Sequence, residues 1–317
     1  MLLSFSIPNY NKGQELNEAL ESIFKLVEND LDNIEICISD NCSTDNSKEV
    51  LSYWNEKFPN FNTCFNQSNI GFQKNLINCL DMAKGQYVWI FGSDDTISEK
   101  YSFDFITSHL QSNNELYITN RELCDTEMNT YGVDNYFRTN FTKENTWNWS
   151  DKEDFISYLD DVKSVNALGC FISSLIVKKD TIDEIIRLSK IDDFYLSNIF
   201  PHVYIFLKIK NNSTQFNVTY LPFPIVKWRA DNSSFADNNF DKYIDLLDLA
   251  NSTHSRELID AKIKLSNLIY SFYKKRLRYR SIIAYLVRNK FKLSKSVSFA
   301  VGLDFNSNIK HLLFGKK

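Results

Sequence analysis

Apolar and polar positions alternate in blocks along the first hundred residues. Residues 2–7 are an apolar run closed by Pro8-Asn9-Tyr10-Asn11, the pattern of a strand that ends in a loop. Between residues 14 and 27, Leu16, Leu20, Ile23, Phe24 and Val27 recur at helical spacing. Residues 34–39 read as a second strand. Asp40-Asn41-Cys42-Ser43-Thr44-Asp45-Asn46-Ser47, a dense set of capping side chains, stops it ahead of a helix through Val50, Leu51 and Trp54. Residues 61–65 suggest a third strand and residues 72–83 a third helix. After Gly85, residues 87–91 form a short run of β-branched and aromatic side chains, a strand buried on both faces that breaks into Gly92-Ser93-Asp94-Asp95.

Strand–helix alternation of this kind implies an α/β fold, a mostly parallel sheet flanked by helices on both faces. Ligands of such sheets bind outside the carboxyl ends of the strands, where residues 8–11, 40–45 and 92–95 all fall. These clusters are expected to converge on one cleft. No Gly-x-Gly-x-x-Gly and no P-loop is present, which excludes a dinucleotide-binding or NTPase fingerprint. Two adjacent carboxylates at a buried strand end need a compensating charge, and a divalent cation bridging a diphosphate supplies it. The alternative is that Asp94 or Asp95 only caps a helix starting near Ser98.

Further along, strands are expected at 117–120, 168–177 and 216–221 and a helix at 181–190. Residues 121–150 are polar, Asn-rich and aromatic, either a loop packed by its own rings or a wall of rings suited to stacking on the apolar face of a pyranose. From residue 240 the pattern is helical, which divides the chain into 1–238 and a helical region 239–317.

Composition sharpens this division. With 317 residues, 43% hydrophobic and 24% charged, the chain can bury a full core. The net charge of −4 hides an asymmetry: residues 256–317 carry 15 Lys/Arg against Glu257, Asp260 and Asp304. A basic, aromatic, amphipathic region of this kind suits an anionic membrane surface or a solvated helical face, whereas the acidic remainder argues against nucleic acid. The six cysteines form no Cys-x-x-Cys pair, and Cys37 and Cys79 fall in apolar patterns, as buried free thiols do. Neither a signal peptide nor a run of about 18 apolar residues is evident, so a reduced, cytoplasmic protein is the expectation.

Four motifs in order carry a resemblance: Ile-Pro-Asn-Tyr-Asn at 7–11, Ser-Asp-Asn-Cys-Ser-Thr-Asp at 39–45, Asn69-Ile70-Gly71 with Lys74-Asn75, and Gly-Ser-Asp-Asp at 92–95. Together they resemble family 2 glycosyltransferases, which have the GT-A fold and use nucleotide-diphosphate sugars. Gly-Ser-Asp-Asp, Ser173-Ser174, and Arg229 with Asn232-Ser233-Ser234-Phe235 are most similar to the abequosyltransferase-like O-antigen enzymes. The resemblance favours the metal reading: Asp94, with Asp95, on Mg²⁺ or Mn²⁺. It also implies that Pro8, Tyr10 and Asn11 flank the donor base, that Asp40 hydrogen-bonds the base or ribose, and that Gly71, Lys74 and Asn75 lie along the donor. Lys74 and Arg229 suit the diphosphate, and Ser93 the ribose. One departure is Gly92, where the family's element begins with Asp. Inverting members place a catalytic Asp at a helix start, and Pro201-His202 stands in that place. His202 is therefore the expected general base, with Asp192 or Asp193 as the fallback.

The implied function is metal-assisted, inverting transfer of a sugar to a hydroxyl of a lipid-linked surface glycan. Two rivals are a nucleotidyltransferase, which would carry a Gly-rich basic loop after the first strand, and a non-catalytic sugar-nucleotide-binding module.

Overall fold

The computed structural model describes residues 1–190 and 200–230. Strand β1 (Leu3–Asn9), helix α1 (Gly13–Val27), β2 (Ile34–Asp40), α2 (Ser47–Asn55), β3 (Phe61–Phe65), α3 (Phe72–Met82) and β4 (Tyr87–Ile90) follow the hydrophobic pattern closely. Neighbours β3-β2-β1-β4 are all parallel, with Asn9 opposite Asp40 and Ser6 opposite Ile90. Strands β1 and β2 are buried at every position, as strands covered on both faces must be.

Alternation along β1 assigns its two faces. Leu3, Phe5 and Ile7 join Leu16, Leu20 and Ile23 of α1 in one apolar cluster, where Phe5 stacks on Trp89 at 5.2 Å. Fully burying side chains of this size contributes about 1.5–3 kcal/mol each. The opposite face carries Ser4 and Ser6 and is covered by α3, where Ser6 Oγ lies 3.5 Å from the Cys79 carbonyl. A buried carboxylate, Glu35, lies here too; Ser4 Oγ, Asn62 Nδ2 and the Lys84 N–H all donate to it. Gly85 is required at this point because a Cβ would fall 2.7 Å from the Ser4 backbone nitrogen. All six cysteines are free thiols, Cys37 and Cys79 buried among them.

Beyond β4 the sheet turns mixed. The remaining elements are β5 (Thr96–Ile97), α4 (Phe103–His109), β6 (Leu116–Cys124), β7 (Thr130–Val133), β8 (Asn145–Asn148), α5 (Lys152–Asp161), β9 (Leu175–Lys178), α6 (Lys179–Ser189), α7 (Pro201–Asn212) and β10 (Asn217–Arg229). Strand β9 enters antiparallel between β4 and β6, and β10 runs parallel to β6.

Three local expectations are corrected. The helix expected near Ser98 begins at Phe103 with Ser102 as its cap, because residues 96–97 pair with β10 instead; Asp94 and Asp95 cap no helix there. The strand expected over 168–177 shrinks to β9. Gly169, at φ +87°, ends one 3₁₀ turn (Val165–Leu168), and a second (Ile172–Ser174) follows. The last strand continues to Arg229 through Pro222 and Pro224, which the ladder absorbs as register shifts between Leu221 and Val226.

The aromatic segment packs on itself. Phe137 stacks on Trp147 at 5.5 Å and meets Tyr158 edge-on, and Tyr136, Phe137, Trp147 and Trp149 are buried. Those four rings offer no face for a sugar to stack on. No helix among the described residues is long and apolar enough to cross a membrane. The basic region 239–317 lies outside the described residues.

Candidate active site

The ends of β1, β2 and β4 bring together the loops that the sequence singled out. Asn9 is the hinge between the first two: its Nδ2 donates to Asp40 Oδ1 at 2.8 Å and to Ser47 Oγ at 3.0 Å. Asp40 also accepts from the Ser43 amide (2.9 Å) and the Ser43 hydroxyl (2.6 Å). It is fully buried, and in this structure the carboxylate organises the loop from within. Asn11, at φ +51°, accepts from the Thr44 amide on its side-chain oxygen and donates its own N–H to Ser43 Oγ. Tyr10 is left 45% exposed, while Pro8 is buried beside Ser39 in the ladder.

Asn75 shows the same logic. Its Oδ1 accepts from Ser39 Oγ and Asn66 Nδ2, and its Nδ2 donates to the carbonyls of Ser39 and Asn9. Every one of its bonding positions is used to knit α3 to the strand ends. Lys74, one residue earlier, is exposed. Gly71, at φ +85°, starts α3 in a conformation that an L side chain rarely adopts.

Asp94 and Asp95 are 8% and 4% exposed, with Ser93 buried beside them. Burial raises Asp94 above the usual carboxylate range, against the pull of Lys12 and Arg229. Burial, and then the Asp94 charge, pushes Asp95 up to about 7, with Ser173 and the Arg229 amide opposing. Two carboxylates this costly to ionise together are the chemistry a divalent cation relieves. No group of three His, Cys, Asp or Glu side chains gathers among the described residues. Among the described strand-end residues, this pair is what could hold a divalent cation, with phosphate oxygens and water as its further ligands.

Sequence reasoning missed Lys12. Its Nζ lies 3.4 Å from Glu15 and 3.9 Å from Asp94 Oδ2, so it places a positive charge at the mouth of the carboxylate pair. Only its position directly after Asn11 signalled it. Sequence reasoning also misdirected Arg229. That guanidinium is held inward by the carbonyls of Asp94 (3.0 Å) and Thr126 (2.5 Å) and by the Glu18 carboxylate. In this structure it braces residues 94–95 against α1.

His202, the expected general base, lies in the first turn of α7, 1% exposed, with Nε2 donating to the Gly169 carbonyl at 2.8 Å. Burial lowers its pKa to about 4. This is the geometry of a neutral core histidine. The fallback residues Asp192 and Asp193 lie outside the described residues. A separate open groove of about 470 Å³ beside β5 is lined by ion pairs such as Lys100–Glu122 and contains none of the strand-end loop residues.

Comparison with known proteins decides what this arrangement belongs to. Residues 4–160 match the model of glycosyl transferase family 2. Over 266 residues the chain is 33% identical to abequosyltransferase RfbV of Salmonella typhimurium, which covers 81% of this chain and 77% of that protein. The chain belongs to glycosyltransferase family 2. It is a nucleotide-sugar-dependent glycosyltransferase of the O-antigen-enzyme type, and neither rival reading stands. A shorter match, 36% identical over 99 residues, links it to glycosyltransferase GlyG of Streptococcus pneumoniae.

Solved structures show the same GT-A fold. Staphylococcus aureus TarS 1-349 in complex with UDP superimposes with a TM-score of 0.62 at 15% identity, covering 90% of this chain and 78% of that one. The chain spans 47% of the longer TarS structure. A mannosyltransferase of Pyrobaculum calidifontis, in complex with GDP-Man and Mn²⁺, gives 0.54 at 13% identity, covering 99% and 88%.

Proposed function

We propose that this family 2 enzyme moves a sugar from a nucleotide-diphosphate sugar to a hydroxyl of a lipid-linked surface glycan, with Mg²⁺ or Mn²⁺ and with inversion at the anomeric carbon. The observation that carries the reading is the buried Asp94–Asp95 pair at the end of β4, faced by Lys12 and flanked by the loops after β1 and β2. Relatives support it: an abequosyltransferase by sequence, and structures holding UDP, UDP-GlcNAc, and GDP-Man with Mn²⁺.

Within this reading Asp94, with Asp95 behind it, would hold the metal, whose charge would offset that of the leaving diphosphate. Lys12 and Lys74 add positive charge along the diphosphate, as point charges that follow it through the transfer. Tyr10 offers its exposed ring to the base, and Ser93 its hydroxyl to the ribose. Asn9, Asp40 and Asn75 hold these loops rigid before the donor arrives, which lowers the ordering cost of binding. The base that deprotonates the acceptor is Asp192 or Asp193. The enzyme works at the inner face of the cell membrane, and the basic region 239–317 holds it against anionic lipid.

The test is a panel of UDP-, CDP-, dTDP- and GDP-sugars with and without Mn²⁺, read as donor hydrolysis and as titration calorimetry. Wild type binds one nucleotide class more tightly with metal, and Asp94→Asn loses that metal-dependent gain while keeping its fold. Equal metal dependence in the two proteins refutes the site.

A further inference from the structure

Ser173 stands where separate parts of the chain meet. It belongs to the 3₁₀ turn Ile172–Ser174 and is fully buried. Its carbonyl accepts from Trp89 Nε1 at 2.8 Å, which anchors the turn to β4. Its hydroxyl accepts from the Gly92 N–H at 2.8 Å and donates to Asp95 Oδ2 at 2.5 Å. A hydroxyl has one proton, so with the Gly92 amide as donor the proton goes to the carboxylate. The other Asp95 oxygen accepts the Arg229 N–H at 3.3 Å, and Arg229 Nε donates to the Asp94 carbonyl. Residues 92–95 are thus held from two sides.

Glycine at position 92 makes room for this arrangement. A Cβ there would lie 3.0 Å from both Asp95 Oδ2 and Ser173 Oγ, and 3.2 Å from Asp94 Oδ1. Ser174 supplies the contrast. It is equally buried, but its hydroxyl turns back to the Phe171 carbonyl at 2.7 Å.

We propose that Ser173 is a positioning residue: through Gly92 and Asp95 it fixes the turn that aims Asp94 at the cation of the donor diphosphate. The inference rests on the metal-assisted reading above. Loss of the hydroxyl leaves a buried amide and a buried carboxylate oxygen short of a partner, and the turn relaxes. Asp94 then meets the cation with a poorer aim, which weakens metal binding and leaves the chemistry of the loaded complex alone.

The experiment measures Mn²⁺ binding to the full chain by calorimetry, in the presence of whichever of UDP, CDP, dTDP or GDP binds the wild type, beside melting temperature and metal activation of transfer. Ser173→Ala is expected to weaken Mn²⁺ binding by about tenfold, the scale of one hydrogen bond to a charged group. It raises the Mn²⁺ needed for half-maximal activity equally, with kcat at saturating Mn²⁺ within about threefold. Ser173→Cys, which fills the space with a weaker donor, changes Mn²⁺ affinity in the same direction and covers the case in which alanine fails to fold. Ser174→Ala loses comparable melting temperature with unchanged Mn²⁺ affinity. Asp95→Ala, which also removes a carboxylate of the pair itself, weakens Mn²⁺ binding at least as much as Ser173→Ala, and the double variant is no worse than Asp95→Ala alone.

Wild-type Mn²⁺ affinity in Ser173→Ala overturns the proposal, as does equal weakening in Ser174→Ala or additivity in the double variant. A wild type whose nucleotide binding ignores Mn²⁺ overturns the metal reading, and this inference with it. Metal-coupled wild-type binding beside an unaffected Ser173→Ala overturns the inference alone.

Discussion

The burial of His202 has a measurable consequence at acid pH. Its folded pKa of about 4 lies below the ordinary 6.5, so between those values the unfolded chain holds more protons than the folded one. The stability that His202 contributes is complete above about pH 6.5 and is lost as pH falls toward 4. The two pKa values imply a loss of about 2–3 kcal/mol between pH 7.5 and 4.5. For a domain of this size that is roughly 5–10 °C of melting temperature. Asp95 titrates with the opposite sign: its folded pKa is raised to about 7, so lowering the pH through that value stabilises the fold. A control that keeps Asp95 is therefore needed. His202→Gln serves, since its amide can still donate to the Gly169 carbonyl but does not titrate. Urea unfolding of both proteins at the two pH values gives the difference, with wild type losing about 2–3 kcal/mol more than the variant. Identical pH dependence refutes the buried neutral imidazole. The same variant tests catalysis: kcat per folded molecule stays within about threefold if the ring is structural. A loss of about 10²–10⁴ at unchanged stability would return His202 to the role of general base.

Two further outcomes follow from the site geometry. Lys12→Met should weaken binding of the nucleoside diphosphate by about 1 kcal/mol and leave the nucleoside unaffected, because only the phosphates meet the ammonium; calorimetry with both ligands checks it, and an equal loss for the two places Lys12 elsewhere. Asp40→Ala should lower the melting temperature as well as weaken nucleotide binding, by about 1–3 kcal/mol, because Asn9 and Ser43 lose a buried acceptor. Weakened binding at wild-type stability would instead mean that Asp40 touches the donor.

The three strand–helix units and the fourth strand of residues 1–91 were legible in the sequence because their signals are local. A run such as residues 34–39 and a capping cluster such as 40–47 act within a few residues, and parallel pairing then puts their ends on one edge. The motif positions were legible for the same reason, down to Asp94 at the end of β4. Which way each polar side chain points was not. Asp40, Asn75 and Arg229 carry the right chemistry for a donor, yet packing turned each of them into the fold, where an unpaired polar group would cost more than a ligand contact returns. His202 sits at an unremarkable helix start, and only the arrival of Gly169 from 33 residues away gives its Nε2 a partner. The partner of Asp95 lies 78 residues away in Ser173, and that of the Asp94 carbonyl 135 away in Arg229. Hydrophobic periodicity determines where strands end; long-range packing, which no local pattern encodes, determines which side chains at those ends remain free to do chemistry.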